Sequence, residues 1–437
     1  MPARVTQRVA IATLGCKVNQ FETADLIEQF RRAGWELVPF SAEADIYVIN
    51  TCTVTGRSDS ESRRLIRRAR RRNPEAHIVA TGCYAQVRPE ELAALPELDQ
   101  VLGNEEKLDL VACIVNGRNQ VSDLHSLKTA GPLRLTSHTE HTRAFLQVQT
   151  GCEQHCSYCI VPAARGPNRS VPPDEVRRAV QGLAEAGFQE VVLTGIHLGA
   201  YGGDLTTGPD FTGLVRLLDQ DGCMPRIRLG SLEPNEVSSE LLDLIAGSPR
   251  ICHHLHLPLQ SGSDGVLIRM RRTYDAALYR RVVTESAARL PDLFLAADVI
   301  AGFPGESQAE FEETCSLIDE LPLADLHVFP YSRRPGTPAA ELPGQLPPTV
   351  ISSRAEQLRL LAAAKKQRFQ AAFFGKRLPV LGLKHHAGML TGLSRNYLEV
   401  RYSGEADQVN KECEVEITGC DGTRLTGRLP QTEVTHA

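Results

Sequence analysis

GCEQHCSYCIVPAARG, residues 151–166, sets Cys152, Cys156 and Cys159 in a C-x3-C-x2-C triplet with no fourth cysteine close behind to complete a tetrahedron. An iron-sulfur cube held by three thiolates keeps one iron open to an exogenous chelating molecule, and an open coordination position separates a reactive metal centre from a structural one. The triplet therefore reads as a catalytic cluster site. A zinc site completed by His155 or by a distant ligand is the alternative, although zinc knuckles usually come as two paired halves.

Strand-like runs recur around the triplet, over 144–150, 190–194, 226–230, 254–259, 293–300 and 326–330. Helical periodicity separates them over 173–186, 211–219, 236–246, 276–289 and 308–320. Six β/α units predict an incomplete (β/α)6 barrel with the triplet at the carboxyl end of its first strand. Polar residues at other strand ends are candidates for holding a cofactor: Thr194, Ser231 and Glu233 in LGSLEP, His256 and Gln260 in HLPLQSGS, and Asp298 in DVIAGFPGE. Each alone serves as readily as a helix cap or a loop stabiliser.

Upstream, strand-like runs over 9–14, 46–50 and 77–81 lead into Cys16 (TLGC), Cys52 (NTC) and Cys83 (ATGC). Helical stretches over 22–33 and 61–72 lie between them, which predicts a parallel α/β sheet. Ligands collect beyond the carboxyl ends of such strands, so a second three-thiolate cluster follows, with three unrelated buried cysteines as the alternative. The chain has twelve cysteines and no secretion-like leader, which disfavours a disulfide framework. Cys113, Cys223, Cys252, Cys315, Cys413 and Cys420 lack a ligand pattern and read as small apolar residues. No apolar run approaches a bilayer span, so a cytoplasmic protein without membrane contact is expected.

The net charge of -5 gives no global attraction to nucleic acid, so any such binding must be local. SDSESRRLIRRARRRNP, residues 58–74, supplies one patch: Arg63, Arg64, Arg67, Arg68, Arg70, Arg71 and Arg72 on a helix opened by a Ser58 to Glu61 capping box and closed at Asn73-Pro74. Like-charge pairs four residues apart cost such a helix on the order of 1–2 kcal/mol, which phosphate binding would offset; a solvated face is the alternative. A linker is expected over 126–143. A long helix over 352–374 then leads to five short strands within 371–437, a small β-barrel of a kind that often binds nucleic acid.

The C-x3-C-x2-C loop resembles that of radical S-adenosylmethionine enzymes. The segments TLGCKVNQFET, NTCTVT and ATGCYAQ resemble the methylthiotransferase branch, and Arg165, Gly166 and Asn168-Arg169-Ser170 fit its RGxxRS continuation. The resemblance implies an N-terminal methylthiotransferase domain (1–125), a radical barrel (144–370) and a C-terminal TRAM-like RNA-binding β-barrel (371–437). It assigns one 4Fe-4S cluster to Cys16, Cys52 and Cys83, and a second, which binds S-adenosylmethionine, to Cys152, Cys156 and Cys159; Ser231, Glu233, Gln260 and Asp298 are the cofactor-contact candidates. GCKVNQFET and TCTVTGRSDSESR are most similar to the threonylcarbamoyladenosine tRNA methylthiotransferases. The implied reaction places a methylthio group at C2 of that adenosine beside the anticodon. It consumes two S-adenosylmethionine molecules and draws on an external electron donor and sulfur source. Arg63, Arg64, Arg67, Arg68 and Arg71 would then contact tRNA. The other readings are action on isopentenyladenosine tRNA or a ribosomal protein, and a non-catalytic iron-sulfur RNA-binding protein.

Overall fold

The computed structural model describes residues 7–131 and 142–430, so residues 132–141 of the expected linker lie outside it. The N-terminal unit runs β1 (Arg8–Thr13), α1 (Lys17–Arg32), β2 (Glu36–Leu37), β3 (Ile46–Thr51), α2 (Gly56–Arg72), β4 (His77–Gly82), α3 (Cys83–Val87), α4 (Pro89–Ala93), β5 (Gln100–Val101) and α5 (Leu110–Asn116). Its five strands form an all-parallel sheet in the order β2-β1-β3-β4-β5. Every residue of the central strand β3 is buried, as expected where helices cover both faces. Parallel strands need helical crossovers, so all three cysteine-bearing loops emerge on one edge of this sheet.

The second unit begins with β6 (Arg143–Gln147), β7 (Gln149–Thr150), α6 (Val161–Arg165), β8 (Arg169–Ser170), α7 (Pro173–Glu185), β9 (Glu190–Thr194), α8 (Phe211–Asp221) and β10 (Arg226–Leu229). It continues through α9 (Ser239–Gly247), β11 (His254–His256), α10 (Asp264–Arg269), α11 (Ala276–Arg289), β12 (Phe294–Ala301), α12 (Gln308–Glu320), β13 (Asp325–Pro330) and α13 (Pro348–Ala371). Two parallel three-stranded sheets, β10-β9-β6 and β11-β12-β13, meet through bridges Ile227↔Ile251 and Ser231↔His256 and form an open six-stranded barrel. Its largest apolar cluster joins Leu146, Val191, Ile227, Leu255, Leu295 and Leu326 from the six strands.

Two expectations are corrected. The run over 144–150 is not one strand: after Val148 the chain leaves the barrel, and β7 pairs antiparallel with β8. Gln149 enforces the turn, its amide donating to the Thr150 and Gly151 carbonyls and to Asn168. The capping box at Ser58 is also absent. Thr55, the last extended residue before α2, accepts from Ser58 N at 3.2 Å, and Glu61 pairs instead with Arg64 at 2.6 Å.

The tail is a closed barrel of β14 (Arg377–His386), β15 (Met389–Ser394), β16 (Glu399–Ser403), β17 (Glu412–Asp421) and β18 (Arg424–Arg428), in the order β14-β15-β16-β18-β17. The expected inward residues Leu398, Val400, Tyr402, Val415 and Ile417 are buried, whereas Cys413 is only partly so. This barrel docks on the amino-terminal ends of the larger barrel's strands. There Arg226 and Arg228 donate to the carbonyls of Leu393, Ser394 and Arg395, and Tyr397 stacks on His254 at 4.3 Å.

Candidate active site

Cys16 precedes α1, Cys52 leads into the Thr55 cap of α2, and Cys83 opens α3. Each cysteine thus sits where a strand hands over to a helix, and the amino termini of α1 and α2 direct their positive dipole ends there. Only glycine fits before Cys16: Gly15 has φ +98°, and a Cβ on it would lie 2.8 Å from the Cys52 sulfur. Buried Asn19 ties two of the loops by donating to the Leu14 and Thr51 carbonyls at 2.7 and 3.1 Å. Burial, with the neighbouring Cys83 and Cys16 sulfurs, pushes the Cys52 thiol up to about 11. The three sulfurs therefore share one field.

Two barrel arginines reach into this site. Arg165, at the end of α6, bonds Asn19 at 2.5 Å and pairs with Glu22. Arg334 donates to Thr53 at 2.7 Å and Asp59 at 2.5 Å, flanking Cys52, while Gly56 N donates to Ser332 Oγ at 3.0 Å. Each arginine has a buried Nε without a hydrogen-bond partner, the state of a donor facing a missing acceptor.

The second trio lies on the loop between β7 and α6. Cys152 N donates to Gly166 O at 3.0 Å, closing the loop. Gly151, at φ +76°, lies so close to Pro167 that an added Cβ would stand 1.7 Å from its carbonyl oxygen. Sulfur acceptors are already served: Gln154 N reaches Cys152 Sγ and Val161 N reaches Cys159 Sγ, both at 3.4 Å, and Arg272 Nη1 reaches Cys156 Sγ at 3.1 Å. Burial pushes the Cys159 thiol up to about 12 and raises that of Cys156. Thiolates there need a counter-cation, which a bound metal supplies. His155, the alternative zinc ligand, is exposed. His197 lies against Cys152 and 2.5 Å from Glu236; against the effect of burial, these two partners raise its imidazole to about 10.

The strand-end candidates are brought together. Ser231 Oγ bonds His256 Nδ1 at 2.9 Å, His256 Nε2 bonds Asp298 at 2.8 Å, and His327 approaches the same carboxylate at 3.3 Å. Burial opposes ionisation of Asp298, but the two imidazoles hold it far below the usual carboxylate range. Glu233 pairs with Arg272, whose guanidinium stacks 4.8 Å over the Tyr274 ring, so Glu233 is linked to the Cys156 sulfur through one side chain. Gln260, just beyond β11, has φ 62° and bridges to Val299, and its N–H donates to the Asp298 carbonyl within β12 at 2.8 Å. Thr194 is buried, its carbonyl accepting from Val148 N at 2.9 Å.

Sequence reasoning missed Arg272, His197, His327 and Arg334. Arg272 is one of three arginines in RMRRTY, and nothing in their order marks which turns inward. His327 alternates with Leu326 and Val328 on β13, a period-2 signal that points it away from the apolar face.

The arginine helix is largely self-neutralised. Arg63 pairs with Glu91 at 3.1 Å, Arg64 with Glu61, Arg67 with Glu97 at 3.6 Å and Arg70 with Asp99 at 2.6 Å, so carboxylates from α4 and the β5 edge answer the like-charge repulsion. Arg68 and Arg71 are exposed and, among the described residues, have no side-chain partner. No helix among the described residues is long and apolar enough to cross a membrane.

Both trios suit a three-thiolate cluster: each gathers cysteines at one end of its sheet or on one loop, and Arg165, Arg272 and Arg334 beside them each keep a buried Nε without an acceptor. Residues 8–103 match the family described as Uncharacterized protein family UPF0004, and residues 146–318 match the Radical SAM superfamily. In fold, the chain is similar to the radical S-adenosylmethionine methyltransferase TsrM from Kitasatospora setae, solved with cobalamin and a [4Fe-4S] cluster (TM-score 0.53, 15% identity, 77% of each chain covered). It is 39% identical to the threonylcarbamoyladenosine tRNA methylthiotransferase MtaB of Bacillus subtilis (94% of this chain, 93% of the relative) and 40% identical to that of Aquifex aeolicus (91% and 97%). It is 32% identical to a tRNA-2-methylthio-N(6)-dimethylallyladenosine synthase of Neisseria gonorrhoeae (97% and 99%). With near full-length relatives of this kind and two thiol trios in place, the chain belongs to the radical S-adenosylmethionine methylthiotransferase family.

Proposed function

We propose that this protein places a methylthio group at C2 of N6-threonylcarbamoyladenosine beside the tRNA anticodon, using two S-adenosylmethionine molecules and two 4Fe-4S clusters. One cluster is held by Cys16, Cys52 and Cys83, the other by Cys152, Cys156 and Cys159. The observation that carries this reading is the docking of the loop with the second trio against the first trio's unit, since Arg165, six residues after Cys159, bonds Asn19 and Glu22 on the helix that follows Cys16. Cys152, Cys156 and Cys159 would hold the cluster whose chemistry is electron supply for cleaving S-adenosylmethionine, and Cys16, Cys52 and Cys83 the one that would offer a site for sulfur transfer.

This chain's own residues prepare the ground. Arg272 fixes Cys156 and Glu233 in one hydrogen-bonded unit, and Ser231, Glu233, Gln260 and Asp298 offer polar groups to the cofactor at three adjacent strand ends. The partial barrel, closed at its floor by the tail, keeps water from a reactive carbon centre. Arg68 and Arg71, with exposed Arg64 and Arg67, present positive charge to RNA phosphates, and Arg63 braces the helix through Tyr84 and Glu91. The tail sits at the opposite end of the strands from the second trio, so it grips tRNA away from the modified base. The unit over 1–125 thus houses the sulfur-transfer site and part of the RNA grip, that over 144–370 the radical site, and that over 371–437 the rest of the RNA grip. The work is cytoplasmic and uses an external electron donor and sulfur source.

The higher identity to the threonylcarbamoyladenosine relatives than to the dimethylallyladenosine one supports the choice of base. Expression in bacterial cells lacking their own enzyme, followed by mass spectrometry of tRNA nucleosides, tests it. The methylthio group should appear on threonylcarbamoyladenosine; its appearance on dimethylallyladenosine, or on no nucleoside, contradicts the assignment.

A further inference from the structure

Inside the open barrel, one wall is polar. Leu255, Leu257, Ala297, Val299 and Leu326 face the covering helices, so the alternating residues His254, His256, Asp298 and His327 on β11, β12 and β13 face the lumen. Asp298 is met by two imidazoles, His256 Nε2 at 2.8 Å and His327 Nδ1 at 3.3 Å, and Ser231 Oγ holds the other His256 nitrogen at 2.9 Å. His327 is the open member of this set, its side chain 55% exposed. The Asp298 carboxylate beside it raises its imidazole against the effect of burial. His254, one inward position before His256, is 3% exposed and has a buried Nδ1 without a hydrogen-bond partner.

Lys17, the residue after Cys16, reaches the same wall. Its ammonium lies 5.9 Å from the centre of the Tyr397 ring, which stacks on His254 at 4.3 Å, and the rings of His256 and His327 lie 5.0 Å apart. Two other cations lie over Tyr397, Arg228 at 5.0 Å and Arg143 at 5.9 Å, but both are paired with Glu190. Asp325, the next carboxylate on β13, is paired with Lys366 at 2.7 Å. Half-buried Lys17 has no ion pair among the described residues, so its ammonium is free to take an anion.

We propose that Lys17 and His327 are specificity-determining residues that receive the N6 substituent of the substrate base, Lys17 pairing with its carboxylate and His327 bonding its hydroxyl or carbamoyl oxygen. This rests on the choice of base made above and names the side chains that enforce it. A threonylcarbamoyl group brings an anion and polar atoms to this wall. A dimethylallyl group is hydrocarbon and would strip water from Lys17 and His327 without replacing it, and a site built to bond a polar group strongly rejects the analogue that lacks it. Both residues stand beside the first trio's unit. Lys17 adjoins Cys16, and the chain runs on from β13 to Ser332, which accepts from Gly56 N at 3.0 Å.

The test is binding of anticodon stem-loop RNAs to the full, anaerobically reconstituted chain, read by fluorescence anisotropy. The loops carry N6-threonylcarbamoyladenosine, N6-dimethylallyladenosine or plain adenosine at the modified position. Ratios of dissociation constants are compared, so a general loss of RNA affinity cancels. The parent should favour the threonylcarbamoyl loop over the plain one by about tenfold or more. Lys17→Met should erase most of that preference, and Lys17→Arg, which keeps the charge, should retain most of it. His327→Phe should lower the preference about threefold and narrow the gap to the dimethylallyl loop. Parental ratios in both Lys17→Met and His327→Phe overturn the proposal and leave the choice of base standing. No preference for the threonylcarbamoyl loop in the parent overturns both. Should Lys17→Met lose iron from the adjoining trio, the ratio in His327→Phe still decides.

Discussion

Replacing Glu190 with alanine should loosen the latch between the tail and the barrel floor. Glu190 is fully buried, and its carboxylate lies 2.8 Å from nitrogens of Arg143, Arg226 and Arg228. Burial alone would raise its pKa, yet the three guanidiniums hold it far below the usual carboxylate range. At an effective dielectric of about 20 and roughly 4 Å between charge centres, each pair attracts by roughly 4 kcal/mol. Desolvation of several kcal/mol per ion offsets most of that in the intact network. Alanine removes the attraction and leaves the desolvation. Arg226 keeps Glu412 at 2.5 Å and Arg143 lies near the surface, so Arg228 is the cation left without a carboxylate. The loss should match one broken buried pair, about 3–5 kcal/mol. Glu190→Gln keeps an acceptor oxygen and should cost about half as much. Far-UV circular dichroism in a urea titration is the assay, because the single tryptophan, Trp35, lies in the other unit. Glu320→Gln, which breaks an exposed pair with Arg280, is the control and should cost less than about 0.5 kcal/mol. A Glu190→Ala cost below about 1 kcal/mol would refute the latch.

Three further outcomes are expected. Gly151→Ala forces a Cβ to 1.7 Å from Pro167 O at φ +76°, so the loop must rebuild and iron on the second trio should fall while the first keeps its own, read by iron content. Arg68→Ala and Arg71→Ala should each reduce the salt dependence of tRNA binding by about one phosphate contact, a change of roughly 0.9 in the log-log slope, whereas Arg63→Ala should mainly lower stability. Glu22, whose folded pKa is lowered from 4.5 to about 2, contributes stability that is present above the unfolded value and lost as pH falls toward the folded one. The thermal midpoint of the metal-free protein should therefore drop between those pH values, less steeply in Glu22→Gln, and equal slopes would contradict it.

Strand ends carried most of what was legible in the sequence. Six apolar runs ending in polar residues gave the barrel, and three runs ending in cysteine gave the N-terminal sheet, because parallel strands place their loops on one edge. What the sequence hid was side-chain direction across units. Arg272 and Arg334 come from arginine-rich loops, and only the fold decides that each turns toward a cysteine-bearing loop. The arginine helix shows the same limit: its carboxylate partners Glu91, Glu97 and Asp99 lie outside it, so counting charge along one helix overstated its free positive charge. The run over 144–150 misled because β7 keeps strand composition after leaving the barrel sheet.

The central claim, two cubes each held by three thiolates, is tested most directly by iron and sulfide counting on anaerobically reconstituted protein. The account predicts about eight irons per chain, and about four when either Cys16, Cys52 and Cys83 or Cys152, Cys156 and Cys159 are replaced together by alanine. About four irons in the unaltered chain, or zinc in their place, would contradict it.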